Sequence, residues 1–74
     1  MTYYAIRNKR TGKYISGTDY SCKDGKPRQI MSSALRPPRL FNGVELLAEM
    51  RVRRINLKYY EVVAVEVRQK EPIQ

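Results

Sequence analysis

Residue types that usually carry out catalysis are scarce in this chain of 74 residues. It contains no histidine and one cysteine, Cys22, so histidine-based acid–base chemistry and zinc sites with several cysteines are excluded. Glu61 and Glu66 lie five residues apart on a predicted strand, so they project to opposite faces and cannot form an acid pair. The sequence therefore predicts a protein that is not an enzyme and that binds no metal and no cofactor.

Basic residues interleaved with tyrosines are the feature most suited to recognising a ligand. The formal net charge is +8 at pH 7, and residues 1–40 contain nine cations against two aspartates, or +7 of that total. Phosphate backbones bind such surfaces through counterion release, and tyrosine rings can stack on unpaired bases. The candidate contact residues are Arg7, Lys9, Arg10, Lys13, Tyr14, Tyr20, Lys23, Lys26 and Arg28.

Two functions are compatible with this charge pattern. A one-sided basic surface can simply keep a small domain soluble, and the interpretation we adopt is an accessory protein that docks on another protein. The alternative is a nucleic-acid-binding module that uses the basic hairpin tip and the loop after it as phosphate contacts. A homodimer is left open, and the choice between DNA and RNA is not decided by the residues.

An N-terminal β-hairpin is the element that would present these cations. Residues 2–8 alternate in the manner of a strand, the polar residues 9–12 form a turn, and residues 13–16 form the return strand. A four-residue loop places Arg7 opposite Tyr14 and Ile6 opposite Ile15, so both isoleucines face one side of the sheet.

The middle of the chain predicts little regular structure before a helix. Residues 17–39 are largely loop, with a possible short third strand over residues 29–35 and a break at the two prolines after Arg36. Asn42 with Glu45 predicts a capping box, and Phe41 with Leu46 predicts a hydrophobic staple. The helix should span residues 43–54, stop near Asn56, and bury Val44, Leu46, Leu47 and Met50.

The last element is a long strand over residues 58–69, rich in β-branched residues, with Val63, Val65 and Val67 on one face. Residues 71–74 should form a frayed tail. The expected fold is therefore a single small α+β domain over residues 1–74, in which the hairpin and the final strand form a small antiparallel sheet packed on one helix.

The segments that would direct the chain to a membrane are missing from this sequence. No run approaches the ~20 apolar residues of a membrane-spanning helix, and residues 1–7 lack the apolar region of a signal peptide. A single free cysteine fits a reducing compartment. We therefore expect a cytoplasmic protein without membrane contact.

The layout of the chain carries one resemblance to known proteins. It rests on the run Tyr4-Ala5-Ile6-Arg7-Asn8-Lys9-Arg10-Thr11-Gly12-Lys13-Tyr14, on Leu40-Phe41-Asn42 at the start of the helix, and on Tyr59-Tyr60-Glu61-Val62-Val63 near the end. In these features the chain resembles small accessory proteins encoded by bacteriophages and prophages. The resemblance implies a compact protein made inside a bacterial host cell, and it assigns no functional residue.

Overall fold

The computed structural model describes residues 2–21 and 23–66, so Cys22, Val67 and the tail 71–74 lie outside the described residues. The elements follow the order β1 (Thr2–Asn8), β2 (Ile15–Asp19), β3 (Arg28–Met31), α1 (Leu46–Val52) and β4 (Tyr60–Glu66). The α+β class is thus confirmed. The strands divide into two antiparallel pairs, β1 with β4 and β2 with β3, rather than forming the one sheet that the sequence suggested.

The sheet of β1 and β4 joins the two ends of the described chain. Its register covers seven residue pairs, with Tyr3 opposite Val65 and Ala5 opposite Val63. Both valines are partly buried, as expected for β-branched residues on the covered face of a pleated sheet. The predicted long closing strand is confirmed over β4, and the last three of its predicted residues, 67–69, are outside the described part of the chain.

The hairpin prediction is right at the turn and wrong beyond it. The N–H of Asn8 donates to the carbonyl of Lys13 over 2.8 Å, and Arg7 lies opposite Tyr14. The next predicted pair, Ile6 with Ile15, does not form, because Tyr4 exchanges two 2.8 Å backbone hydrogen bonds with Phe41. The segment around Phe41 therefore occupies the rest of this edge of β1, and β2 turns away to pair with β3.

The second sheet takes up residues that the sequence had placed in a loop. Residues 17–19 belong to β2, and β3 covers residues 28–31 instead of 29–35. β3 is shorter than predicted because Ser33 and Arg36 exchange backbone hydrogen bonds of 2.9 and 3.2 Å, which closes a tight turn.

The capping box at the start of the helix is confirmed. The N–H of Asn42 donates to Glu45 Oε1 over 3.1 Å, and the N–H of Glu45 donates to Asn42 Oδ1 over 2.8 Å. The residues directly after Asn42 form a turn, however, and α1 itself is shorter than the predicted span of 43–54.

The helix ends at Val52, two residues before its predicted end at residue 54 and four before the predicted stop at Asn56. Arg54 takes the left-handed conformation with φ 52°, and the N–H of Ile55 donates to the carbonyl of Met50 over 2.9 Å. The N–H of Arg54 donates to the carbonyl of Arg51 over 3.1 Å, which completes a Schellman motif.

The core is small and consists of Ile6, Ile15 and Phe41, with partly buried side chains around it that include Leu46 and Met50. The predicted burial of two other residues is wrong, because Val44 is 95 % and Leu47 is 75 % exposed. A helix of two turns can cover so small a core with only one stripe of side chains, and positions 46, 50 and 53 form that stripe.

Arg53 occupies the third position of this stripe and is only 8 % exposed. Its guanidinium lies 5.4 Å from the centre of the Phe41 ring. Its Nε donates to Glu49 over 2.9 Å, and its Nη1 donates to the hydroxyl of Thr18 over 2.7 Å. The arginine therefore covers the core and connects the end of α1 to β2.

Candidate functional site

The basic residues singled out in the sequence lie in two places, around the turn between β1 and β2 and around the loop between β2 and β3. Lys9, Arg10 and Lys13 are exposed in or beside the turn after β1. From Lys13 to Asp19 the chain advances six residues in extended form, which is roughly 20 Å. The remaining candidates lie between Asp19 and Arg28, in the connection from β2 to β3, which we call the β2–β3 end. They are Tyr20, Lys23, Lys26 and Arg28.

Arg7 and Tyr14 lie between these ends and interact with each other. The guanidinium of Arg7 is 6.0 Å from the centre of the Tyr14 ring, and its Nε donates to Glu61 Oε1 over 2.7 Å. The hydrogen bond and the charge of Glu61 raise the pKa of Arg7 above its ordinary value. Arg7 thus forms an ion pair across β1 and β4 and contributes no uncompensated charge.

The β2–β3 end has acidic residues close to its cations. Asp19 lies opposite Arg28 in the sheet, and its carboxylate accepts hydrogen bonds from the hydroxyl and the N–H of Ser21 over 2.6 and 2.9 Å. These two hydrogen bonds, followed by the charge of Arg28, lower the pKa of Asp19. Asp24 also accepts from the N–H of Lys26 over 3.0 Å. The two aspartates at this end therefore lie beside Arg28 and beside the backbone of Lys26.

The turn after β1 meets the segment before β4, and together they form an open groove of about 580 Å³. The N–H of Lys9 donates to the carbonyl of Tyr59 over 2.9 Å, which fixes the two segments side by side. We call this feature the tip groove; it is lined by Asn8, Lys9, Arg10, Lys58, Tyr59 and Tyr60.

Only Lys9 and Arg10 of these lining residues were among the sequence candidates, and the most exposed additions are Lys58 and Tyr59. Both are exposed, and the ammonium of Lys58 lies 5.7 Å from the centre of the Tyr59 ring. The signal that could have found them is the pairing of β1 with β4, since that register places residues 58–60 beside the turn.

A second exposed surface lies on α1 and the turn before it. Positions 44, 47, 48, 51 and 52 follow the spacing of one helix face, and all five are exposed. The face is mainly aliphatic, and Val52 at its end is 62 % exposed. We call it the outer helix face; its members are Val44, Leu47, Ala48, Arg51 and Val52.

The described residues contain no cluster of three or more His, Cys, Asp or Glu side chains placed to bind a metal ion. None of the helices that the structure describes is long and apolar enough to span a membrane. The chain matches no protein-family model, and no curated protein and no solved structure is significantly similar to it.

Proposed function

We propose that this chain is a small, basic, non-catalytic accessory protein that docks on another protein through the outer helix face. The observation that carries the proposal is the exposure of Val44, Leu47 and Val52 at helical spacing on α1 and the turn before it, on the side that faces away from the core. The outward side of a helix on a soluble domain normally carries polar side chains.

The outward aliphatic residues are not part of the core. Leu46 and Met50 already supply the inner stripe of α1 against the core. Valine also has a lower helix propensity than alanine or the charged residues that commonly occupy an exposed position. Exposed aliphatic residues on the outer helix face are therefore better explained by contact with a second molecule, because contiguous exposed apolar patches often mark interaction sites.

Charge indicates what kind of partner fits. Two copies of a chain with a net charge of +8 would repel each other, which disfavours a homodimer. Arg51 lies within the outer helix face, and the exposed Arg54 lies two residues after the end of α1. The complementary surface is an apolar strip or groove with acidic residues at its rim. From the resemblance to bacteriophage proteins, we propose that this partner belongs to a phage or host complex in the bacterial cytoplasm.

The test compares Leu47 with Leu35, which is 93 % exposed in the turn Ser33–Arg36 outside the helix. A photo-crosslinking amino acid is placed at position 47 or 35 in bacterial cells, and the protein captured at position 47 is purified. Its Kd is then measured for wild type, Leu47→Asp and Leu35→Asp.

Burying one leucine contributes ~1.5–3 kcal/mol, and a charge at the same place adds a desolvation cost. We expect Leu47→Asp to weaken binding at least ~30-fold, or ~2 kcal/mol, and Leu35→Asp to change it less than about twofold. Both variants should keep the wild-type melting temperature within a few degrees, since both side chains are exposed. No crosslink at position 47, or equal losses for the two variants, would contradict the proposal.

A further inference from the structure

The tip groove contains three cations that have no counter-charge in the part of the chain that the structure describes. Lys9, Arg10 and Lys58 are exposed, and within residues 2–21 and 23–66 none of them pairs with a carboxylate. The nearest acidic side chain in β4 is Glu61, which is already paired with Arg7. The cations therefore face an incoming ligand with their full charge, whereas the β2–β3 end has Asp19 and Asp24 beside its cations.

The backbone on both sides of the groove is ordered by asparagine side chains. Asn8 Oδ1 accepts from the N–H groups of Arg10 and Thr11 over 2.9 and 3.1 Å. On the other side, Asn56 Oδ1 accepts from the N–H of Lys58 over 2.9 Å. Because these turns are formed before any ligand arrives, binding would cost little backbone entropy.

An aromatic ring lies beside these cations. Tyr59 is 56 % exposed in the groove lining, and Lys58 places its ammonium next to the same ring. Cations that contact phosphates, combined with a tyrosine on which a base can stack, are the usual elements of a surface that binds single-stranded nucleic acid. A duplex would use the cations but not the ring, because its bases are already stacked.

We infer that the tip groove binds a short run of single-stranded nucleic acid, with its phosphates on Lys9, Arg10 and Lys58 and one base stacked on Tyr59. This surface is separate from the outer helix face, so the inference does not depend on the proposed docking function. The candidate residues of the sequence therefore divide into two groups, because the tip and the β2–β3 end do not form one contact surface.

The chain offers matched controls for both parts of the inference. Replacing Lys9, Arg10 and Lys58 by Gln lowers the net charge from +8 to +5, and replacing Lys23, Lys26 and Arg28 by Gln lowers it by the same three units. Tyr59→Ser is matched by Tyr20→Ser at the other end, where the ring is 55 % exposed.

Binding is measured by fluorescence anisotropy with labelled 12-nucleotide oligo(dT), oligo(rU) and a DNA duplex of equal length at ~25–200 mM salt. For three phosphate contacts on a single strand, the logarithm of the association constant should fall against the logarithm of salt with a slope of about −2. The groove triple variant should lose at least ~10-fold in affinity and most of this slope, and the control triple variant should lose less than about threefold.

Separate measurements test the stacking of a base on Tyr59. Tyr59→Ser should weaken single-strand binding by roughly 5- to 150-fold and leave duplex binding unchanged, and Tyr20→Ser should alter neither. Photo-crosslinking of wild type to a 5-iodouracil oligonucleotide should modify Tyr59, a result that does not require any variant to fold. Equal losses for the two triple variants, a crosslink elsewhere, or no binding at ~25 mM salt would overturn the inference.

Discussion

Phe41 has the largest fully buried side chain among the described residues. Its side chain is fully buried, it contacts both isoleucines of the core, and the guanidiniums of Arg39 and Arg53 lie 5.5 and 5.4 Å from its ring centre. Its backbone also occupies one edge of β1 opposite Tyr4. Replacing Phe41 by Ala should therefore remove contacts between the first sheet, the helix and the chain leading to it.

The magnitude follows from the burial. A buried Phe→Ala substitution costs ~3–5 kcal/mol, and a domain of this length is stable by roughly 4–11 kcal/mol at ~0.05–0.15 kcal/mol per residue. At ~4–8 °C per kcal/mol for a small domain, the melting temperature should fall by roughly 12–40 °C. Phe41→Leu keeps an apolar side chain of similar size but loses the ring–guanidinium contacts. Its melting temperature should therefore lie between those of Phe41→Ala and wild type.

Thermal unfolding followed by circular dichroism measures this effect, with Leu47→Ala as the control. Leu47 is 75 % exposed, so its truncation should change stability by no more than ~0.5 kcal/mol, or less than about 4 °C. A Phe41→Ala melting temperature within about 5 °C of wild type would show that Phe41 does not hold these elements together, and so would a larger loss for Leu47→Ala than for Phe41→Ala.

Three further substitutions test local features. Arg53→Ala should lower the free energy of unfolding in urea by ~2–3 kcal/mol. Arg53→Lys should not recover this stability, because an ammonium cannot match both guanidinium hydrogen bonds. A loss below ~1 kcal/mol would show that these hydrogen bonds contribute little to stability. Arg54→Gly should raise the free energy of unfolding by up to ~1 kcal/mol, and the urea midpoint with it, because the left-handed position favours glycine; a lower midpoint would argue against that conformation. Ser21→Ala removes a hydrogen bond to Asp19 and should raise the pKa of that carboxyl group towards its ordinary value in an NMR titration. Since the pKa of Asp19 is lowered in the folded protein, its contribution to stability is present above the unfolded-state pKa and is lost as the pH falls through the folded-state pKa; an unchanged Asp19 pKa in Ser21→Ala would contradict the assignment.

Local signals in the sequence predicted local structure well. The capping box of Asn42 and Glu45 involves residues three apart, and the turn after β1 has the Arg7–Tyr14 register expected from its loop length. Each of these features is determined by a few neighbouring residues, so no knowledge of the rest of the fold is needed to predict it.

Partner choice between distant strands was not predictable in the same way. β1 and β4 are separated by about fifty residues, and alternation in each strand indicates that it has a partner without indicating which one. The tip groove depends on that pairing, because it places Lys58 and Tyr59 beside the turn that carries Lys9. The basic turn was therefore visible in the sequence, whereas the aromatic side of the groove was not.

Helix periodicity also left the orientation of α1 open. Val44, Leu46, Leu47 and Met50 are all apolar, and the sequence alone cannot tell which of them faces a core formed by other segments. The contact of Arg53 with Phe41 orients the helix, and it was missed because arginine is rarely buried unless it is paired.

The docking function is tested most directly by NMR titration of the isotope-labelled chain with the purified partner captured at position 47. We expect the amide shifts to concentrate at positions 44, 47, 48, 51 and 52 of the outer helix face, with positions 8–10 and 58–60 of the tip groove unchanged. Shifts centred on the groove, with the outer helix face unchanged, would contradict it.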